Sequence, residues 1–410
     1  MRILFLSQIV PYPPHGGVLQ RGYNLLRQLG RSSRIHLLAF VHPDIPHHGQ
    51  MLEESRRALG SFCESLEYFP LWPKASPLHY AAALAAGAVS PLPFGVIGHR
   101  SREYRCRVSS LLQQIPFDVI HADTLALAPF VPLPQRVPTA LTHHNVESVL
   151  MAQRAGAERR LLAKRYLQRE ASKLEAYERT VAPQFDVNIV VSSVDGETLA
   201  ARSPGIRTAV VPNGVDVEYF APEPGHETPA LVYTGGMNMF ANRDAVMYFL
   251  TAIWPLIRAR VPEVRFYAVG QDPPEELTTF ANHDSSVVVT GYVEDIRPYV
   301  REAAAYVVPL RVGGGTRLKV LDAMAMGKAM VSTSIGCEGL AVRSGAHLLV
   351  ADRPDAFAAS TVSLLRNADR RRALGRAARQ LVEEHYAWTV VGRQLLDAYE
   401  HARATKRQKS

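Results

Sequence analysis

The chain has 410 residues, 47% of them apolar and 20% charged, with a formal net charge of +8. That length exceeds what one ordinary core organises and predicts two domains of roughly 150 to 200 residues, while the balance of apolar and charged residues excludes disordered and fibrous classes. The excess of cations fits an anionic partner, be it a nucleotide, an anionic lipid surface or nucleic acid.

Arg2 to Ser7 read as the first strand; the apolar opening meets Gln8 and the prolines between 11 and 14 before an export-signal core can form, so no export signal is expected. Gly16 and Gly17 follow, with Arg21 on the first turn of the helix that runs to Leu29, and Ile35 to Val41 is the next strand. This is a βαβ rhythm. The glycines permit close backbone approach, in a tight turn or in contact with an acceptor or diphosphate. Tyr80 to Ile97 is apolar but broken by Pro91 and Pro93, and too short for a span of ~20 residues, so no transmembrane helix is expected. Two basic clusters come next: His99, Arg100, Arg102, Arg105 and Arg107, then a helical stretch from Arg154 to Arg179. They read as solvated helix faces, compensated by Glu158, Glu170, Glu175 and Glu178, or as an attachment surface for an anionic membrane.

Further strands are expected at Val119 to His121, Thr139 to Thr142, Val187 to Val191 and Thr208 to Val211. His121 lies in Asp-Val-Ile-His-Ala-Asp at one strand end, and His143 and His144 follow another. A histidine at a strand end serves either as a hydrogen-bonded structural group or at a site; Glu147 is read as orienting His144 or capping the next helix, with capping preferred. A break falls near Pro212-Asn213-Gly214-Val215-Asp216 and the Pro/Gly-rich residues 221–229, after which Ala230 to Thr234 restarts a strand running into Gly235-Gly236. The strands Arg265 to Val269, Ser286 to Thr290, Ala305 to Val308 and Ala329 to Thr333 complete a second parallel series, and Asp369 to Ala404 reads as helix. The domains are therefore placed at 1–209 and 210–384, with a terminal helix and basic tail at 385–410. Ligands are expected at the carboxyl edges of the sheets, in the cleft between the halves.

The densest chemistry lies between 309 and 339. Gly313, Gly314 and Gly315 lack a Cβ, Thr316 opens a helix whose positive end points at the same space, and Arg311, Arg317 and Lys319 add full charges. Asp322, on the same helix, is suited to accept two hydrogen bonds from a diol such as ribose. Neither a Walker sequence nor GxGxxG with a later ribose-binding acid is present, which disfavours NTP hydrolysis and nicotinamide binding. Cys63, Cys106 and Cys337 are odd in number and far apart, with no metal-ligand spacing; a reducing cytosol is expected, with no metal and no cofactor.

The order of Ser7 to Gly17, His143-His144-Asn145-Val146-Glu147, Val211 to Asp216, Gly291-Tyr292-Val293-Glu294-Asp295 and 309–339 resembles the retaining GT-B glycosyltransferases of family four (group 1) over nearly the whole chain. The resemblance implies an α/β fold of two Rossmann-like doubly wound domains facing a central cleft. The first would hold the acceptor, the second the nucleotide-sugar, with a terminal helix crossing back. Carried over by position, Asp322 corresponds to the acidic ribose ligand, Arg311 and Lys319 to the diphosphate ligands, Gly291, Tyr292 and Val293 to the loop beside the base, and His144 to the residue contacting the transferred sugar. Gly235, Asn238, Gly313, Gly314, Gly315, Thr316 and Arg317 complete the donor set, and Gly16, Gly17, Arg21 and His121 the acceptor set. Two positions depart from the family pattern. Gly314 stands where the first Glu of a Glu-x7-Glu pair belongs, and the loop after Gly235 offers no cation before Arg243, so the cations near the glycine turn are expected to replace the usual pair.

Breaking an anomeric C–O bond leaves a negative diphosphate, and Arg311, Arg317, Lys319 and the turn N–H groups can stabilise it without a metal. The resemblance further implies attack by the acceptor hydroxyl from the leaving-group face, with a donor phosphate oxygen taking the proton. The expected enzyme is a glycosyltransferase free in the cytosol or peripheral at the inner membrane face, acting on a glycan or lipid-linked acceptor in polysaccharide or glycoconjugate assembly. Its rivals are a nucleotide-sugar epimerase on the same architecture and a basic nucleic-acid-binding protein. The second has no stacking-aromatic motif or reading helix to support it, so no nucleic acid is expected as a partner.

Overall fold

A computed structural model describes residues 1–14, 16–42, 48–74, 76–312 and 317–409. Two compact units emerge, Met1–Pro212 with Val391–Ser410, and Asn213–Val390.

The first unit is built on seven strands: β1 (Arg2–Ser7), β2 (Arg34–Val41), β3 (Ser65–Pro70), β4 (Val119–Ala122), β5 (Thr139–His143), β6 (Val187–Val190) and β7 (Thr208–Val210). All pair in parallel, in the order β3-β2-β1-β4-β5-β6-β7. The order reverses between β1 and β4, where Ile3 is in register with Ile35 on one side and Val119 on the other. The strands are short and apolar because both faces are covered; Ile3, Leu4, Phe5 and Leu6 are fully buried. Phe40 stacks on Tyr104 at 4.6 Å, and the Tyr104 hydroxyl donates to the Leu38 carbonyl (2.9 Å), which anchors the helix Arg102–Gln114 to the sheet.

The second unit repeats the plan with β8 (Thr228–Thr234), β9 (Arg265–Val269), β10 (Val287–Gly291), β11 (Ala303–Val308), β12 (Met330–Ser332) and β13 (Leu349–Val350). Its order is β10-β9-β8-β11-β12-β13, again parallel, with the switch between β8 and β11. Phe249, Trp254, Phe266 and Phe357 cluster in its core. Before Trp254 the helix widens into a π-helical turn, Phe249–Ile253: Pro255 has no N–H to donate to the preceding turn.

The doubly wound α/β class expected from the sequence is what both units show. Several local expectations need correction. β3 and β13 were not foreseen: β3 carries Glu67 and Pro70 at an edge, and β13 has two residues. The basic stretch from Arg154 to Arg179 is two helices, Glu147–Ala157 and Leu161–Val181, interrupted where Glu158 bonds the Arg160 backbone and guanidinium. The terminal helix is likewise two, Ala368–His385 and Trp388–Lys409, because Ala387 leaves helical geometry to bridge Val215 and the Val215 N–H donates to the Tyr386 carbonyl (2.8 Å). Only glycine fits at 214, where a Cβ would stand 2.7 Å from the Trp388 ring. The apolar stretch Tyr80 to Ile97 is divided between helices Pro77–Val89 and Phe94–Gly98. Among the described residues no helix is long and apolar enough to cross a membrane.

Candidate functional site

In the second unit three loops leave the carboxyl ends of β8, β9 and β10 and are bound backbone to backbone. Gly235 N–H donates to the Val269 carbonyl (2.9 Å), Met237 N–H to Gln271 (2.9 Å) and Gly270 N–H to Gly291 (3.2 Å). Gly235, Gly270 and Gly291 adopt φ of 148°, 157° and 69°. At Gly270 a Cβ would fall 1.9 Å from the Gly235 carbonyl oxygen, so the approach of these two loops requires glycine. The result is a floor of main chain at a sheet edge, where open α/β units place ligands.

Lys319, on the helix Leu318–Ala325 that follows β11, reaches back onto this floor. Its Nζ donates to the Tyr233 hydroxyl (2.9 Å) and Asn242 Oδ1 (2.7 Å) and lies 4.2 Å from the Tyr233 ring centroid; a Cβ on Gly235 would be 2.5 Å from it. A lysine from the later helix thus stands beside the Gly235 turn, where sequence inspection found no local cation. Burial pushes the Lys319 ammonium down to about 7, with Arg317 adding repulsion and Asp322 opposing both. Burial pushes the Asp322 carboxyl up to about 7 against the pull of Lys319, and Asp322 Oδ1 is shielded from solvent without a hydrogen-bond partner among the described residues. An acceptor oxygen so placed is suited to a hydroxyl donor. Burial also lowers the Arg317 guanidinium, which feels Glu338 and Tyr233.

The remaining donor-side candidates separate. Arg311 does not join this cluster: it forks onto Asp244 (3.1 and 2.5 Å) and stacks over Tyr248 at 4.3 Å, half exposed. Asn238 is exposed beside Gly236, Tyr292 is exposed at the Gly291 turn, and Val293 packs against the core. Gly313, Gly314, Gly315 and Thr316 lie outside the described residues.

In the first unit the candidates lie around the carboxyl ends of β1, β4 and β5. Gly16 has φ 83° and open space where a Cβ would be, and Gly17 begins the helix Gly17–Leu29. Arg21 does not face an open site. It is buried, donating to the carbonyls of Pro212 (2.7 Å) and Val211 (2.8 Å); burial lowers its pKa to about 10 against the attraction of Asp123 and Tyr399. His121 is fully buried too, stacked on Phe5 at 4.4 Å, with Nδ1 2.5 Å from the Tyr399 hydroxyl and Nε2 2.9 Å from Thr142 Oγ1; burial brings it down to about 4 and keeps it neutral. His143 is buried against Asn188 (3.0 Å). His144 is the partly exposed member, with Nε2 3.6 Å from Asp123 Oδ1. Glu147 does not cap its helix: it is the first helical residue and accepts from Thr124 Oγ1 (3.3 Å).

Sequence reasoning missed Tyr233, Asn242, Asp123 and Tyr399. Asp123 stands two residues after His121 in the same strand-end string, a signal that was available. Tyr399 is 278 residues from its partner and left none.

The Lys319–Asp322 pair has a signature in stability. Asp322 titrates near 3.8 when unfolded and near 7 when folded, so from about pH 4 to 7 the folded chain holds the extra proton and stability falls as pH rises. Lys319 titrates near 10.5 unfolded and near 7 folded, so from about pH 7 to 10 the unfolded chain holds the extra proton and stability rises. A dip near pH 7 in nucleotide-free stability is expected, seen as urea midpoints that recover when Lys319→Met and Asp322→Leu are combined. Parallel pH profiles for the two proteins would contradict it.

The model of the family described as Glycosyltransferase Family 4 matches residues 15–219, and that described as Glycosyl transferases group 1 matches 228–367. The chain is 26% identical over 343 residues to a phosphatidyl-myo-inositol mannosyltransferase of Mycolicibacterium smegmatis, covering 80% of this chain and 79% of that protein. Among solved structures, sucrose-phosphate synthase from Thermosynechococcus elongatus superposes with a TM-score of 0.68 at 17% identity, covering 99% of this chain and all of that one. HepE of Anabaena, solved with UDP and glucose, superposes with a TM-score of 0.62 at 14% identity, covering 98% and 100%.

Proposed function

The chain belongs to the family 4, group 1 glycosyltransferases with the GT-B fold, and on that premise we propose that it moves a sugar from a nucleoside diphosphate-sugar to a hydroxyl acceptor with retention at the anomeric carbon. The observation that carries the donor is the Lys319–Asp322 pair on one helix at a glycine-lined sheet edge, a part-buried lysine near a carboxylate oxygen that has no hydrogen-bond partner among the described residues. Lys319 and Arg317 supply positive charge where a leaving diphosphate develops negative charge, and Asp322 accepts from the ribose diol. Diphosphate binding draws a proton onto Lys319, so affinity falls above about pH 7. Gly235, Gly291 and Tyr292 line the nucleotide, and the family resemblance assigns Gly313, Gly314, Gly315 and Thr316 to the donor as well. Arg311 joins them only on leaving Asp244. His144, backed by Asp123, meets the transferred sugar, while Arg21 and His121 serve by holding the first unit's strand ends rather than by touching an acceptor.

The fixed cations stand in for a metal, so turnover is expected to survive EDTA. HepE, whose structure contains UDP and glucose, and a GDP-mannose-dependent mannosyltransferase of Mycobacterium tuberculosis, 26% identical over 53% of this chain, support a nucleotide-sugar donor and make UDP and GDP the first nucleotides to try. The setting proposed is polysaccharide or glycoconjugate assembly in the cytosol, on a glycan or lipid-linked acceptor. Thermal unfolding of the intact chain with UDP, GDP, ADP and dTDP is expected to show one nucleotide raising Tm with rising concentration. The corresponding donor should release free nucleotide only when acceptor is present and give a product of unchanged anomeric configuration. No response to any nucleotide sinks the proposal, and an isomerised donor without transfer identifies an epimerase.

A further inference from the structure

In the first sheet β4 and β5 lie side by side with Ala140 in register with His121. Successive side chains of a strand alternate between the two faces, so His121 and Asp123 share one face with Thr142 and His144, while His143 takes the other and bonds Asn188. Phe5, the neighbour of His121 in β1, stacks on the imidazole. Against the same ring the terminal helix Trp388–Lys409 sets Tyr399 edge-on, with ring centroids 5.7 Å apart. Tyr399, His121, Thr142 and Asp123 are all buried.

The hydrogen bonds of this cluster admit one arrangement of protons. Burial raises the Tyr399 phenol well above its ordinary range, so the hydroxyl keeps its proton, and brings His121 down to about 4, so the ring is neutral. Nδ1 of His121 is the one acceptor within hydrogen-bond distance of that hydroxyl among the described residues, so Tyr399 donates to it. A neutral imidazole that accepts at Nδ1 carries its proton on Nε2. That N–H donates to Thr142 Oγ1 (2.9 Å) and stands 3.9 Å from Asp123 Oδ1. The same carboxylate oxygen faces Nε2 of His144 at 3.6 Å, and both of those atoms are shielded from solvent without a hydrogen bond among the described residues. With its proton on Nε2, His121 turns the positive end of an N–H bond towards Asp123. With its proton on Nδ1 it would turn a lone pair towards the carboxylate and drive the oxygen away from its place beside His144.

We propose that Tyr399 is a positioning residue for His144: its hydroxyl fixes the His121 tautomer, the tautomer orients the Asp123 carboxylate, and the carboxylate aims the His144 ring at the transferred sugar. Tyr399 itself touches no substrate. The assignment rests on the transferase reading for the role of His144, whereas the proton arrangement does not.

The tautomer is read from the two-bond proton–nitrogen spectrum of the full chain labelled with ¹⁵N-histidine, with the His121 signals identified by their loss in His121→Gln. The wild-type chain is expected to show His121 protonated on Nε2, and Tyr399→Phe to move the proton wholly or partly to Nδ1. A wild-type His121 protonated on Nδ1 overturns the proposal whether or not any variant folds. With the donor identified by thermal shift, Tyr399→Phe should lower kcat about tenfold and leave KM for the donor within about twofold, while its Tm still rises with nucleotide. Adding Tyr399→Phe to Asp123→Asn should cost little further kcat, because the carboxylate through which the hydroxyl acts has already gone. Losses that multiply independently overturn the proposal, as does a Tyr399→Phe kcat within twofold of wild type. A wild-type chain that turns over no donor removes the transferase reading and this role with it; equal turnover by wild type and Tyr399→Phe removes this role alone.

Discussion

Lys319→Ala is expected to lower kcat by about 10²- to 10³-fold, the scale seen when one preorganised donor to a developing oxyanion is removed. The side chain is already held where it is needed: two hydrogen bonds and the Tyr233 ring fix the ammonium against the Gly235 turn, so no reorganisation is required as charge develops. Arginine should not rescue it. The position that a Cβ on Gly235 would occupy is 2.5 Å from Nζ, which leaves no room for a guanidinium without moving the turn. Arg311→Ala serves as the contrast, because Arg311 rests on Asp244 and Tyr248 and its loss should cost less than about tenfold. Steady-state kinetics on the three variants with the donor identified by thermal shift decide the matter. A Lys319→Ala enzyme within a few-fold of wild type, or an Arg311→Ala enzyme more damaged than it, would reverse the two assignments.

Arg21→Met should produce the largest loss of stability, about 3–5 kcal/mol, because breaking a buried charge arrangement strands its other members. Arg21 donates to the carbonyls of Val211 and Pro212 from a side chain 1% exposed, and its charge is set against Asp123, also 1% exposed. Removing it leaves the Asp123 carboxylate buried beside His121 and His144 without the charge of Arg21. A fall in the first unit's Tm of about 10 °C is expected by calorimetry. Asp123→Asn in the same chain should recover part of it, since the stranded charge is then gone, so the double variant should be less damaged than the sum of the singles. Additive losses would mean that the two side chains act independently and that Arg21 does not stabilise the unit through Asp123.

What could be read before the structure follows from how each signal is stored. The strands were legible because parallel strands buried on both faces become runs of Val, Ile, Leu and Ala; β1, β8, β9 and β11 show this directly. β3 escaped because an edge strand bearing Glu67 and Pro70 has a mixed pattern. The helices near 158–160 and 386–387 were read as continuous because their interruptions depend on tertiary events, an ion pair in one and a bridge to Val215 in the other. At the site, Lys319 and Asp322 were visible as charges spaced along one helix. The reason Lys319 sits at Gly235 was not, since it depends on Tyr233 and Asn242, 86 and 77 residues away. Arg21 and His121 look like ligand-binding residues in one dimension. Burial, which no local pattern encodes, gives them to the scaffold instead.

The grouping of residues from Val391 onward with Met1–Pro212 has a consequence for the order of assembly during synthesis. The helix carrying Tyr399 packs on Gly17–Leu29, with Gly392 so close to Gln28 that a Cβ would clash, and Tyr399 closes the hydrogen bond to His121. Those groups leave the ribosome only after all of Asn213–Val390 has done so. The unit that begins first is therefore completed second. Nascent chains, which usually fold from their N-terminal domain onward, would here carry a first unit with its buried histidine and arginine exposed while the second unit condenses. Pulse proteolysis of stalled chains should find 213–390 protected while 1–212 is still cut.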